Sequence, residues 1–145
     1  MRFAVLILVS AFALPLYANA IAHDLSSSNF SQDWSNGGLI TTNDDWSGVP
    51  SIEGYRGDAL NSSTNTDPQT ITASDFGGVV DVNANQSNPD GFSTGGVSEF
   101  DGITDPSVGL QGSGTADAPY ILVYLNTTGR TNIQVSYNVR DLDGS

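Results

Sequence analysis

The chain after residue 20 consists of short apolar runs separated by clusters of Gly, Asn, Asp, Ser and Pro, and this pattern constrains the fold more than any other feature. No stretch shows a sustained apolar period of about 3.6 residues, so long helices are not expected. Short apolar runs at regular spacing, with turn residues between them, are typical of a sandwich or barrel of β-strands. The sequence therefore predicts an all-β fold, and specifically an antiparallel, jelly-roll-like β-sandwich.

The individual strands are predicted from the same apolar runs. They cover residues 38–42, 69–73, 78–82, 96–100, 107–111, 120–126 and 131–142. Residues 43–68 are rich in turn formers and are predicted to be long loops, held to the core by a few apolar or aromatic side chains. These anchors are Trp46, Val49, Ile52 and Tyr55. Residues 83–95, with the turn sequence NPDG at their centre, are predicted to be a turn or an exposed loop.

The strongest local pattern predicts a hairpin formed by the last two strands. In YILVYLN, residues 120–126, both alternating sets of side chains are apolar, as in a strand that is covered on both faces. In NIQVSYNVR, residues 132–140, one set is apolar and the other is predicted to face water. The sequence TTGR joins the two strands, and its Gly129 is expected to adopt the left-handed conformation of a short hairpin loop.

Residues 1–20 have the features of a secretory signal peptide. Arg2 precedes an apolar run that is shorter than the roughly 20 residues of a membrane span, and Ala18-Asn19-Ala20 supplies the small-residue cleavage pattern. Cleavage after Ala20 or Ala22 would leave residues 21–145 as a single domain. The protein is therefore predicted to be secreted, with no membrane span after cleavage.

The composition limits the partners of this domain. The chain has 16 acidic and four basic residues, a net charge of −12, and no cysteine. A field of this sign repels phosphate backbones and anionic lipid, so direct binding of nucleic acid or of an anionic membrane surface is not expected. Without cysteine, thiol chemistry and sulfur-ligated metals are excluded. Divalent cations are the partners that the charge favours.

Acidic loops are the most abundant candidate sites. RDLDGS is not the start of an EF-hand, because counting back from its Gly144 places Val139 at the first ligand position. An irregular site for a structural calcium ion, built from scattered loops, is still open. Its candidate ligands are Asp101, Asp105, Asp141 and Asp143, with Asp44 and Asp45 as further candidates. The alternative is that these acids cap turns through hydrogen bonds to nearby backbone.

The two tryptophans share a sequence context, Asp-Trp-Ser, around Trp34 and Trp46. Exposed indoles in the loops of a secreted β-sandwich can stack on sugar rings, so a glycan-binding module is one hypothesis. The favoured alternative is that each indole anchors an irregular segment to the core and finds a partner for its N–H.

Hydrolytic chemistry has little support in the sequence. Glu53 and Glu99 are the only glutamates, whereas a glycosidase needs two carboxyl groups that flank a cleft. His23 is the only histidine and lies just after the predicted cleavage site, where chains are usually disordered. Neither a catalytic triad nor a histidine-bound zinc is therefore expected, and no catalytic residue is predicted.

Several segments resemble a module at the N-terminus of large bacterial secreted proteins, some of them extracellular nucleases and others carrying C-terminal sorting or anchoring segments. These segments are NFSQDWSNGGLITTNDDWSGVPSIEGYRGD, DPQTIT, VSEF and LQGSGTADAPYILVYLNTTGRTNIQVSYNVRDLDGS. The resemblance covers nearly all of residues 25–145 and is most specific over residues 112–145. It implies a β-sandwich accessory domain without chemistry of its own, any nuclease activity belonging to a downstream domain. Similar proteins continue into further strands, so the resemblance also implies that this chain is a fragment whose last strand has partners elsewhere.

Three functional hypotheses follow from the sequence. The first is a non-catalytic accessory module of a larger exported bacterial protein, with the downstream domains of the same polypeptide as partners. The second is a module that binds polysaccharide or a cell surface through Trp34 and Trp46. The third is a calcium-stabilised part of an extracellular nuclease or other hydrolase.

Overall fold

The computed structural model of the protein describes residues 21–57 and 81–144. Six strands lie in these ranges: β1 (His23–Asp24), β2 (Ile52–Tyr55), β3 (Gly96–Phe100), β4 (Ser107–Gln111), β5 (Tyr120–Val123) and β6 (Leu125–Asn126). β2 pairs with β5 and β3 with β4 in antiparallel fashion, whereas the short β1 and β6 pair in parallel. The described ranges contain one 3-10 turn, at Pro89–Gly91, and no α-helix, so the all-β prediction is confirmed for this part of the chain. No helix there is long and apolar enough to cross a membrane.

β3 is the most deeply buried strand, since all five of its residues are buried. One edge pairs with β4 over its whole length. The other edge is followed by residues 83–86, where Asn83 N donates to Val97 O and Gln86 N donates to Glu99 O, each at 2.8 Å. Only Asn83 departs from the predicted loop, since it forms an isolated bridge to Ser98, whereas Asn85 is an exposed bend. The hydrogen bonds from residues 83 and 86 satisfy buried carbonyl groups of β3 that would otherwise be unpaired.

The hydrophobic core lies between β2 and β3 and draws on loops as much as on strands. Its buried members are Ile40, Trp46, Val49, Ile52, Val82, Ala84 and Val97. Three of the four predicted anchors are among them, and Tyr55 is half-buried. Residues 52–55 are nevertheless strand β2 and not loop, so this part of the 43–68 prediction is wrong.

The structure also bears on three other predicted strands and on the disorder expected at His23. Residues 38–42 do not form a strand: Gly38 has a φ of +83°, which turns the chain, and Ile40 points into the core from an irregular segment. Asp81 and Val82 are buried but outside any strand, while the rest of the predicted strand 78–82, and the whole of 69–73, lie outside the described residues. His23 is not disordered, because it pairs with Leu125 as part of β1.

The predicted C-terminal hairpin does not form, although its turn does. Arg130 N donates to Thr127 O at 3.0 Å, and Gly129 has the expected positive φ of +73°. Residues 131–140 then run as irregular, solvent-exposed chain. Within and next to this segment, Asn132 has a φ of +56°, and the Arg140 guanidinium pairs with Asp105, two residues before β4.

The apolar pattern of β5 also has a different meaning from the predicted one. Tyr120 and Leu122 are half-buried on one face, whereas Ile121 and Val123 on the other face are 36% and 42% exposed. Coverage on both faces is therefore wrong for this strand within the described structure.

Candidate functional site

The two Asp-Trp-Ser segments are both turns closed by their own side chains. Asp33 Oδ1 accepts hydrogen bonds from Ser35 N at 3.0 Å and from Ser35 Oγ at 2.7 Å. Asp45 Oδ1 accepts one from Ser47 N at 2.9 Å. The serine hydroxyl of each turn is the main cause that lowers the pKa of its aspartate. The shared sequence context of the tryptophans thus encodes turn geometry.

The indole rings themselves lie against the core. Trp46 is only 6% exposed and donates its Nε1–H to Asp81 O at 3.1 Å. Trp34 is half-buried and packs edge-on against Trp46, with the ring centroids 6.4 Å apart. Trp46 therefore lacks the open ring face that sugar stacking requires, and the geometry matches the anchoring alternative.

A cluster of tyrosines around one carboxylate lies on the β2–β5 sheet. Glu53 Oε2 accepts hydrogen bonds from Tyr55 Oη at 2.9 Å and from Tyr124 Oη at 3.0 Å. The rings of Tyr55 and Tyr120, which are cross-strand partners, stack with centroids 5.3 Å apart. Because side chains alternate along strands, the register places all four residues on the same face. We call Glu53, Tyr55, Tyr120 and Tyr124 the tyrosine face.

Both phenols that donate to Glu53 have altered acidity. Burial raises the pKa of Tyr55 far above its usual value, and the hydrogen bond to Glu53 adds to the shift. Burial likewise raises the pKa of Tyr124. These hydroxyl groups are therefore neutral donors at any physiological pH and do not act as bases.

The four acids predicted to bind calcium do not converge on one point. Asp105 Oδ2 pairs with Arg140 Nη1 at 2.9 Å, which neutralises its charge. Asp141 Oδ1 accepts Asp143 N at 3.4 Å, as a turn former does. In residues 21–57 and 81–144, no group of three or more His, Cys, Asp or Glu side chains is arranged to hold a metal. The further candidates Asp44 and Asp45 accept backbone N–H groups, from Val82 and Ser47.

Asp101 differs from the other three because it lies near a second, buried carboxyl group. Glu99 is 3% exposed, and its Oε2 has no hydrogen-bond partner among the described residues. Burial raises the pKa of Glu99 and the charge of Asp101 raises it further, while hydrogen bonds from the backbone amides of Asn85 and Ile40 oppose the shift. A buried carboxylate oxygen without a donor is energetically costly, so this group calls for an explanation.

A polar cleft of about 330 Å³ opens between the loop at residues 43–44 and the start of β3. At its base Arg56 Nε contacts Asp81 Oδ2 at 2.9 Å. Asn43 Oδ1 accepts Ala84 N at 2.9 Å, and Asn83 Nδ2 donates to Val97 O at 3.2 Å. The side chains of Asn43 and Asn83 thus hold the backbone beside the cleft in place.

Sequence reasoning missed both the tyrosine face and the setting of Glu99. The alternation of Tyr120, Leu122 and Tyr124 carried a signal for the tyrosine face, since it places the two tyrosines on one side of a strand. The position of Glu99 inside an otherwise small and apolar strand was the corresponding signal for a buried carboxyl group. Neither signal could identify Glu53 or Asn85 as neighbours, because these contacts depend on tertiary structure.

Comparison of the chain with models of protein families, with curated proteins and with solved structures finds no significant match.

Proposed function

We propose that the chain is a non-catalytic, extracellular β-sandwich module of a larger exported bacterial protein, and that it associates with a neighbouring domain of the same polypeptide by strand pairing. The observation that carries this proposal is residues 131–140, an exposed chain with an alternating apolar pattern. Ile133, Val135, Tyr137 and Val139 are 45%, 76%, 80% and 82% exposed. We call residues 131–140 the exposed arm.

The exposed arm has the residue composition of a β-strand, but it pairs with no strand in the described part of the chain. Alternating β-branched and aromatic residues fit a half-buried pleated surface, not a solvated loop. Burying its four apolar side chains would contribute on the order of 6–12 kcal/mol before the entropy of ordering is subtracted. Such a segment therefore gains most when a neighbouring sheet covers it.

β5 offers a second pairing surface, which no residue in the described part of the chain uses. Tyr124 N donates to Ser51 O at 2.8 Å, while Tyr124 O accepts His23 N at 2.9 Å. With this register, the backbone groups of Leu122 and Tyr120 face β2. The groups of Ile121 and Val123 then face the opposite edge, because successive residues of an antiparallel pair alternate in this way. No described residue pairs with that edge. The exposed arm and this edge together support a module that completes its sheets through another domain.

A neighbouring domain of the same polypeptide is the partner that we propose. Covalent linkage gives a high effective concentration, so a single strand pairing suffices for stable association. The resemblance to modules that precede further strands in exported proteins supports the same partner. The apparent signal peptide supports an extracellular location for both.

Hydrogen exchange of the exposed arm tests this proposal. In the chain alone, the amides of residues 132–140 should exchange within seconds at pH 7, as in an unstructured peptide, while the amides of β3 should be protected. In a longer protein that includes the sequence encoded downstream, residues 132–140 should become protected. Mass spectrometry of peptic peptides measures both.

Residues 96–111 supply the internal reference for this experiment, because β3 and β4 are already paired. Protection of the arm in the monomeric chain alone would show that it completes its own sheet, and the proposal would fail. Continued rapid exchange in the longer protein would also contradict it.

The tyrosine face supports a second candidate function, glycan binding, at a different place from the two tryptophans. Half-buried tyrosine rings offer apolar surface for a sugar ring, and their hydroxyl groups with the Glu53 carboxylate offer hydrogen-bond partners for sugar hydroxyls. Glu53, Tyr55 and Tyr120 lie on the paired strands β2 and β5, and Tyr124 follows β5 directly, with its N–H bonded to Ser51 O, so the fold holds their geometry.

Affinity electrophoresis through gels that contain soluble xylan, starch or β-glucan tests this second function. If the tyrosine face binds glycan, Tyr120→Ala should weaken retention at least about fivefold, the equivalent of about 1 kcal/mol of lost stacking. The matched control is Tyr137→Ala, which removes an exposed tyrosine from the arm. Equal mobility in every gel, or equal effects of the two substitutions, would count against glycan binding at this face.

A further inference from the structure

The turn at residues 127–130 fixes the register in which the exposed arm matches β5. Arg130 N donates to Thr127 O at 3.0 Å, which closes this turn. Counted from that hydrogen-bonded pair, every second residue of β5 would bond an antiparallel strand that continues from the turn, and these residues include Val123 and Ile121. The backbone groups of Val123 and Ile121 are also the ones that face away from β2. We call this side of β5 the outer edge.

The same register matches the apolar faces of the two segments. The opposite pairs on that face are Tyr124 with Ile133, Leu122 with Val135, and Tyr120 with Tyr137. Aromatic and β-branched residues in opposite positions stabilise a pair of strands. The three side chains of the exposed arm are between 45% and 80% exposed, so pairing with the outer edge would remove them from water. The pattern of the exposed arm therefore fits the outer edge of β5.

The exposed arm does not reach the outer edge of its own molecule. Gly129 has a φ of +73°, whereas Thr128, the other central residue of the turn, has a negative φ. A turn of this kind splays the two strands that it joins. Beyond the exposed arm, Leu142 lies against β4, since a Cβ atom on Gly109 would be 3.1 Å from its Cδ1. The exposed arm thus leaves its own β5 and ends beside β4.

The distribution of charge favours a second copy of this chain as the partner. The protein has a net charge of −12, so the acidic parts of two copies repel each other. Residues 118–140, which contain both β5 and the exposed arm, have no acidic residue and carry Arg130 and Arg140. Pairing through this segment is therefore attracted, and not repelled, by the acidic remainder of a second copy.

We propose that two copies of the chain form a dimer in which the exposed arm of each copy pairs with the outer edge of β5 in the other. One turn joins β6 to the exposed arm, so both contacts can form about a single twofold axis. Exchange of an identical element is a low-cost route to a dimer, and here it covers both pairing surfaces at once. The inference goes beyond the proposed function, because it concerns the chain when no neighbouring domain covers the exposed arm. Either can fail without the other.

Sedimentation velocity of the chain at about 2–500 μM tests the dimer. We expect a monomer in the dilute samples and a dimer with a Kd of about 10–100 μM, because the paired area is small. Val135→Asp should weaken the dimer at least about tenfold, since it places a charge opposite Leu122. Ser136→Asp is the matched control: it adds the same charge on the other face of the strand and should change the Kd less than about threefold. Both residues are exposed in the chain, so neither substitution disturbs its core.

A disulfide tests the register and distinguishes exchange from folding back. The chain has no cysteine, so Val123→Cys with Gln134→Cys introduces two thiols at opposite positions. Such positions have Cα atoms about 5.5 Å apart, within the range of a disulfide. Oxidised glutathione should link two copies into a covalent dimer on a non-reducing gel. Val123→Cys with Val135→Cys is the matched control and should not link them, because its side chains lie on opposite faces.

Four outcomes would overturn the proposal. A monomer at every concentration, or growth into larger oligomers, would contradict a closed dimer. Equal effects of Val135→Asp and Ser136→Asp, or equal linkage of both cysteine pairs, would show that the contact lacks this register. A disulfide within a single monomer would show that the exposed arm folds back onto its own β5.

Discussion

Trp46→Ala is expected to lower the free energy of unfolding by about 3–5 kcal/mol, the usual cost of removing a large aromatic side chain from a core. The indole is almost fully buried, in the core cluster that also contains Ile40, Val49, Ile52 and Val97. It also carries the hydrogen bond from Nε1 to Asp81 O. The substitution therefore leaves a cavity and an acceptor without its donor. Equilibrium unfolding in urea, followed by far-UV circular dichroism, measures the change.

Two matched variants show how much of this loss of stability comes from the hydrogen bond and how much from burial of the indole. Trp46→Phe keeps most of the apolar volume and removes the N–H donor, so it should cost about 1–3 kcal/mol. Trp34→Ala removes an indole of equal size from a half-buried position and should cost less than Trp46→Ala. If Trp46→Ala costs under about 1 kcal/mol, or if Trp34→Ala costs more, the core is not organised around Trp46.

The apolar pattern predicted the bounds of a strand correctly where that strand pairs with its neighbour in the sequence. β3 and β4 occupy the predicted residues without any shift, and they are antiparallel neighbours joined by a short connection. Six residues separate them, so alternation and turn signals along the chain contain most of the information that fixes this pair.

The predictions failed where a tertiary contact competes with a local pattern. Ile40 belongs to an apolar run, but the run fills the core from an irregular segment. The exposed arm has better strand alternation than β2, yet Arg140 is held at Asp105 and the arm does not return to β5. Periodicity reports which face of a segment is apolar and not what covers that face.

Prediction of the candidate sites likewise depended on whether their contacts are local or come from distant segments. The turn chemistry of Asp45 was among the alternatives that the sequence left open, because an aspartate and the N–H two residues later are close in any such turn. The setting of Glu99 could not be predicted, since the backbone amides of Ile40 and Asn85, which oppose the rise of its pKa, come from two other segments of the chain.

Asp81 connects the core with both main sheets. Its backbone N–H donates to Gly54 O at 3.0 Å, its carbonyl accepts Trp46, and its carboxylate pairs with Arg56. The same carboxylate lies against Gly96, the first residue of β3. This packing explains why a buried acid is kept at the base of the polar cleft: it fixes where β3 begins relative to β2.

Gly96→Ala is expected to lower the free energy of unfolding by about 2–4 kcal/mol. Gly96 has a φ of +116°, which residues with a side chain rarely adopt. A Cβ atom there would lie 2.6 Å from Asp81 Oδ1 and 2.8 Å from its Cγ. Because Asp81 is buried and paired with Arg56, the carboxylate cannot move aside without losing that pairing. Urea unfolding measures the loss.

Two other glycines separate backbone strain from the contact with Asp81. Gly129 has a φ of +73° with open space around it, so Gly129→Ala should cost only about 1 kcal/mol. Gly114 has neither a positive φ nor a neighbour within 4 Å, so Gly114→Ala should change stability by less than about 0.5 kcal/mol. If Gly96→Ala costs no more than Gly129→Ala, the Asp81 carboxylate is free to move and does not position β3. If it costs more, the Gly96→Ala and Trp46→Phe losses should not add in the double variant, because both substitutions act on Asp81.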